Sequence, residues 1–157
     1  MDQDALLRRA VELADRARAG GNHPFGALLA TADGRIALEA ENTVGTTRDV
    51  TGHAETNLVS AATRRFDAGE LATMTLVTSC EPCAMCSGAI YWSGIGAVVY
   101  GLAETGLLEL TGDDPENPTL ALPSRTVLSA GARTIEVTGP LLEDEAAVPH
   151  EGFWTAG

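Results

Sequence analysis

Four residues of this chain have the types and spacing to do chemistry together: His53, Glu55, Cys83 and Cys86. One imidazole and two thiols are donors that zinc favours. A catalytic zinc takes three protein ligands and leaves its fourth tetrahedral position for water. Cys83 and Cys86 are three apart, so on a helix they share one face about a turn apart. Pro82 is expected in the first turn of that helix, where its missing N–H costs nothing. The positive helix start favours thiolate over thiol. On a regular helix His53 and Glu55 would diverge by about 200°, so they are expected at a helix start, where the backbone changes direction.

Zinc brings the pKa of water to about 7. Glu55 is then expected beside the metal and not on it. It would take the proton of water and return it to a ring nitrogen and a departing amine. The substrate would be an amidine-type carbon, C–NH₂ next to a ring nitrogen. H-x-E followed by P-C-x-x-C is the pattern of zinc-dependent base deaminases. Cys-x-x-Cys alone would also suit a redox dithiol, but that leaves His53 and Glu55 without a role. A structural zinc needs a fourth protein ligand, for which Cys80 is the candidate. Cys80 reads more readily as a small buried residue closing a strand. Cys80, Cys83 and Cys86 also mimic the start of an iron–sulfur motif, but the fourth position is Ile90 and the chain has no further cysteine.

The elements that must position these groups follow from periodicity. Asp4 to Ala19 reads as an amphipathic helix stopped by Gly20-Gly21. A strand from Phe25 to Ala32, the turn Asp33-Gly34 and a strand from Arg35 to Glu41 make a hairpin. Asn42 to Thr51 is a polar loop. A helix from His53 to Phe66 is closed by Asp67-Ala68-Gly69. A strand from Thr73 to Thr78 leads into a second metal helix from Cys83 to Trp92, ended by Ser93-Gly94. The pattern then gives a strand from Ala97 to Tyr100, a short helix from Ser124 to Ala130, a strand from Thr134 to Val137 and a helix from Leu141 to Val148. Between Thr105 and Leu122 only the irregular Asp113-Asp114-Pro115-Glu116-Asn117-Pro118 stands out. Strands alternating with helices predict a three-layer α/β/α sandwich, partly antiparallel because of the hairpin.

Composition narrows the function. The 157 residues are enough for one domain with a core, spanning residues 1–157, and 45% of them are hydrophobic. No run approaches the roughly 20 apolar residues of a membrane span, and the acidic opening Met1-Asp2-Gln3-Asp4 is unlike a signal peptide. Three cysteines fit a thiolate metal site in a reducing cytoplasm better than a disulfide framework. The net charge is −12, with ten Arg and no Lys. Beyond Arg65 only Arg125 and Arg133 are basic, which argues against a nucleic-acid partner.

From Asn22 to Gly101 the chain resembles the cytidine-deaminase-like superfamily, its guanine deaminases first and bacterial tRNA adenosine deaminases next. Asn22-His23-Pro24-Phe25-Gly26-Ala27, His53-Ala54-Glu55, Thr78-Ser79-Cys80-Glu81-Pro82-Cys83 and Gly88-Ala89-Ile90-Tyr91-Trp92 carry the resemblance. It implies a mixed five-stranded sheet, one zinc per chain on His53, Cys83 and Cys86, and a homodimer. By position it implies that Asn42 hydrogen-bonds the substrate ring, that Ala54 contacts it, and that Phe25 and Trp92 wall the pocket. Read from the residues alone, Asn42 is equally a turn residue and Phe25 ordinary core. By position His23 would close the pocket mouth, although read from the residues alone it is more readily a satisfied loop histidine. Guanine deaminases place a second carboxylate about thirty residues after the last cysteine; Asp114 falls there, with Asp113 and Glu116 beside it, in a turn that would also be acidic for solvation alone. Pro115-Glu116-Asn117-Pro118 and the lack of a terminal Tyr depart from the family, and Phe153 and Trp154 are the candidate lid. The expected substrate is a free guanine-like base, nucleoside or triazine analogue, with tRNA adenosine deamination as the alternative.

Overall fold

The computed structural model describes residues 1–112 and 114–154. Helix α1 (Gln3–Ala19) buries Leu6, Leu7, Ala10, Leu13, Ala14 and Ala17 along one stripe and is capped by the Asp2 carboxylate. Strands β1 (Gly26–Ala30) and β2 (Ile36–Glu41) form the expected antiparallel hairpin, with Gly34 at φ +85° in its turn. Every β1 residue is buried, whereas β2 lies at the sheet edge and is partly exposed. A Cβ on Gly26 would come within 2.5 Å of Ala10 O and Leu13 Cβ, so α1 packs directly on the start of β1.

The loop after β2 contains one helical turn, α2 (Val44–Thr47). Helix α3 (Ala54–Arg65) ends close to the expected position. Where the sequence suggests only a closing turn there is a short helix, α4 (Ala68–Ala72), held by a reciprocal capping box between Asp67 and Glu70. Strand β3 (Thr75–Cys80) leads to α5 (Ala84–Ser93), which stops at Gly94 with φ +88°. Pro82 lies outside the helix, just before its capping residue Cys83, rather than in the first turn. Then come β4 (Ala97–Leu102), α6 (Glu104–Thr111), α7 (Ser124–Ser129), the short β5 (Glu136–Thr138), α8 (Glu143–Ala147) and a 3-10 turn, Val148–His150.

Helix α6, from its second residue on, falls within the stretch where periodicity shows no regular element. Its capping residue, Ala103, offers no side-chain acceptor. The cap comes instead from Glu81, whose Oε2 accepts from Glu104 N at 2.9 Å. The other oxygen of Glu81 accepts from Ser124 N and Ser124 Oγ, both at 2.9 Å. One carboxylate thus supports the starts of α6 and α7.

The five-stranded sheet has the order β2-β1-β3-β4-β5. β1 is antiparallel to both of its neighbours, and β3, β4 and β5 are parallel. Helices α1 and α8 pack on one face, and α3, α5 and α7 on the other side, giving the expected α/β/α sandwich. Leu7, Leu13, Leu28, Val77 and Val99 fill one interlayer core; Leu29, Leu58, Leu76, Ile90, Val98 and Leu128 fill the other. Register decides where the site forms. Gly26 pairs with Glu41, Ala27 with Thr78, and Cys80 with Leu102. Phe25, Asn42, Glu81 and Ala103 therefore leave the sheet at the same end.

Candidate zinc and substrate site

His53 and Cys83 are the capping residues of α3 and α5, with extended backbones (φ −71°, ψ 153° and φ −64°, ψ 173°). Each side chain is thrown forward over its helix start while the helix turns away behind it. Glu55 and Cys86 follow within the first turns. His53 Nδ1 lies 3.6 Å from Cys83 Sγ and 3.4 Å from Cys86 Sγ. Zinc distances of about 2.0–2.1 Å to nitrogen and about 2.3 Å to sulfur give a tetrahedral N···S edge of roughly 3.6 Å. The three donors therefore already stand at the corners of a zinc site, and they are the one such donor group found among the described residues. The bond from Cys86, and His53 beside it, hold the Cys83 thiol well below the usual thiol range, while that bond and burial push Cys86 up. Cys80 stands apart: its Sγ is 3.3 Å from His150 Nε2, and burial raises its pKa well above the thiol norm.

Glu55 is buried, and Thr78 Oγ1 donates to its Oε1 at 2.8 Å. Cys86 Sγ approaches its Oε2 at 3.6 Å. Burial pushes this carboxyl above the usual carboxylate range. A buried carboxyl beside the metal donors is placed to take and give protons.

These residues open into a cavity of about 480 Å³. Asn42 lines it and is almost fully buried; its Oδ1 accepts from Val44 N at 3.0 Å, which leaves its Nδ2 to donate into the cavity. Phe25 forms part of the wall, with His150 at 5.2 Å and Trp154 at 6.2 Å between ring centroids behind it. His23 and Glu116 both line the mouth and meet there, Nε2 to Oε2, at 3.2 Å. Glu81, Glu104 and Met85 also contribute, and no Lys or Arg is among the lining residues.

Several expected contacts fall elsewhere. The Ala54 side chain is fully buried in the core with Leu58 and Leu76 and does not line the cavity. Trp92 is 84% exposed, edge-on to Tyr91, and is not among the residues that line this cavity. Helical phase explains it: α5 buries Ile90, and two residues later the side chain has swung about 200° away. Asp114 is buried but not in the wall; its Oδ1 accepts from Glu116 N at 2.9 Å and closes a turn. Of the described members of that acidic group, Glu116 reaches the cavity; Asp113 lies outside the described residues. Phe153 and Trp154 do not cap the cavity. They pack on His23 at 5.9 and 5.3 Å and support the wall from behind. Trp154 Nε1 donates to His150 Nδ1 at 3.0 Å, and the Arg18 guanidinium lies 5.5 Å from the Phe153 ring. An indole N–H only donates, so the proton of neutral His150 sits on Nε2 and faces Cys80.

Two lining carboxylates, Glu81 and Glu104, are not singled out by any motif in the sequence. Their signal is positional: each follows a central strand at the end where the metal motif lies.

Comparison with known proteins agrees with this geometry. A probable cytosine deaminase of Schizosaccharomyces pombe is 45% identical over 153 residues, 98% of this chain and 93% of its own length. A guanine deaminase of Bacillus subtilis is 43% identical over 115 residues, 73% of each chain. A crystallised guanine deaminase of Nitrosomonas europaea superposes with a TM-score of 0.80 at 29% identity, covering 98% of this chain and 84% of that one. The cytidine and deoxycytidylate deaminase zinc-binding region matches residues 1–102. With that match laid over His53, Cys83, Cys86 and the buried Glu55, the chain belongs to the cytidine and deoxycytidylate deaminase family and is a zinc-dependent hydrolytic deaminase.

Proposed function

We propose that this protein, a single deaminase domain over residues 1–157, deaminates a free aminated nucleobase or a related heterocycle. A guanine-like base, nucleoside or triazine analogue is the preferred substrate. The observation that carries the reading is a cavity with no Lys or Arg among its lining residues, in which a buried Glu55 stands beside three zinc donors. His53, Cys83 and Cys86 hold the metal, which supplies Lewis acidity that makes water nucleophilic near neutral pH. Glu55 takes a proton as water adds to the C–NH₂ carbon. It then passes protons to the adjacent ring nitrogen and to the amine, which leaves as ammonia with a carbonyl behind. Asn42 donates Nδ2 to a ring acceptor, and Phe25 offers a flat apolar wall. Similarity to both a guanine and a probable cytosine deaminase supports a nucleobase-sized substrate.

Transfer RNA is the alternative substrate, since the tRNA-specific adenosine deaminase of Haemophilus influenzae is 36% identical over 101 residues. Phosphate binding needs Lys or Arg. The wall without Lys or Arg and the net charge of −12 weigh against it. The exposed Trp92 and the half-exposed Met85 on α5 support assembly as a homodimer. Two thiolate zinc donors and a buried Cys80 thiol suit a reducing cytoplasm. Ammonia release from guanine, cytosine, their nucleosides and aminotriazines tests the proposal. Inosine formation in an anticodon stem-loop, with no release from any free base or nucleoside, would overturn it.

A further inference from the structure

Four carboxylates line the cavity, and three are engaged. Glu55 accepts from Thr78, Glu81 accepts from the starts of α6 and α7, and Glu116 meets His23. The carboxyl of Glu104 has no hydrogen-bond partner among the described residues, although Glu104 is half-buried in the same wall near Leu107. Its backbone is fixed, because its N–H is held by Glu81. A polar group kept in a partly apolar wall without a partner is costly unless a ligand supplies one.

Strand order places it relative to Asn42. Asn42 follows β2 and Glu104 follows β4, with β1 and β3 between them. Strands lie about 4.8 Å apart, so the two chain exits are separated by roughly 14 Å, on opposite sides of the metal donors that follow β3. A flat heterocycle fits across that span with a polar edge toward each side. Asn42 offers a donor and Glu104 an acceptor.

We infer that Glu104 is a specificity-determining residue that contacts the substrate, accepting a ring N–H on the edge opposite the one Asn42 serves. The inference rests on the deaminase reading above. Burial, with the nearby charges of Cys83, Glu81 and Glu55, holds this carboxyl up at about 7. A ligand N–H therefore replaces hydration that the wall already restricts. A substrate with no donor on that edge leaves the carboxyl unpaired and is discriminated against.

The test uses the zinc-loaded full chain and matched substrates. The faster substrate of guanine and cytosine is compared with its ring N-methyl derivative, 9-methylguanine or 1-methylcytosine. Glu104→Gln and Glu104→Ala should lower kcat/KM for the parent base by about tenfold to a hundredfold, the size of a lost charge-assisted hydrogen bond. The same variants should change kcat/KM for the methylated base by less than about threefold. Zinc content and melting temperature of Glu104→Gln should match the parent protein. If the Gln variant folds poorly, Glu104→Asp supplies the comparison with the acceptor drawn back by one methylene. Equal losses on both substrates, or no loss on either, overturn the Glu104 assignment and leave the deaminase reading standing. Ammonia release from no heterocycle by the parent protein overturns the deaminase reading and the assignment with it.

Discussion

The cavity has two walls of different construction. One is made by the starts of α3 and α5, set on the buried strands β1 and β3, and carries His53, Glu55, Cys83 and Cys86 within two short segments. The other is made by residues 115–120 and by His23 and Phe25, backed by the C-terminal aromatics. It has little regular structure and is joined by contacts between residues far apart in the chain, such as His23 with Glu116 and Phe25 with His150. Bond making is assigned to the wall with the least freedom, while the second wall, through Phe25, contributes to substrate recognition beside Asn42 and Glu104. Loops on a rigid scaffold commonly serve that second task.

The sharpest way to break this contrast is at the metal. Cys86→Ala should reduce bound zinc far below one per chain and abolish ammonia release, as metal analysis beside an activity assay would show. Full zinc occupancy in that variant would remove Cys86 from the ligand set. Glu55→Gln should keep zinc and fold yet lose about 10²–10⁴-fold in kcat, the usual weight of a general acid–base group. A variant retaining more than a tenth of the rate would reassign the proton transfer.

On the second wall the effects should be graded. His150 is buried, and burial, with the nearby charge of Arg18, lowers its pKa from 6.5 to about 4. The unfolded chain therefore binds this proton more readily between those values. Stability should be complete above pH 6.5 and fall as pH drops toward 4, by on the order of 3 kcal/mol. Urea titrations at several pH values would measure it. His150→Gln should flatten that part of the slope; an unchanged slope would acquit His150.

The smallest effect is expected at the mouth. The Glu116 side chain is 69% exposed and its bond to His23 spans the opening. Glu116→Ala should cost less than about 1 kcal/mol of stability, as exposed pairs do, and change KM by no more than a few-fold. A collapse of kcat comparable to that of Glu55→Gln would erase the distinction between the two walls.

The same division marks what the sequence made legible. The metal motif, the hairpin and the sandwich were readable because each rests on local spacing: two residues between thiols, Asp-Gly at a turn, strands alternating with helices. Helix α6 was not, because its cap is Glu81, twenty-three positions upstream of Glu104. Helix α4 could have been found from Asp67 and Glu70, whose capping-box spacing is local. Trp92 illustrates a different difficulty. Helix α5 buries Cys86, Ser87, Ile90 and Ser93, so polar residues occupy its inner face and hydropathy gives no phase. Asp114 and Glu116 are two residues apart in one acidic turn, and only the folded turn separates the one that closes it from the one that faces the cavity.

The double grip of Glu81 has a consequence for remodelling. Its two oxygens hold the N–H groups of Glu104 and Ser124, so the segment between them, which begins with α6, has its ends pinned side by side to one carboxylate. Closing a chain segment between fixed ends costs an entropy that grows only with the logarithm of its length, about 0.6 kcal/mol for each doubling. Segments of other lengths and compositions can therefore be exchanged between the same two anchor points while the metal donors stay in place. The cavity behaves as a fixed socket with a replaceable rim.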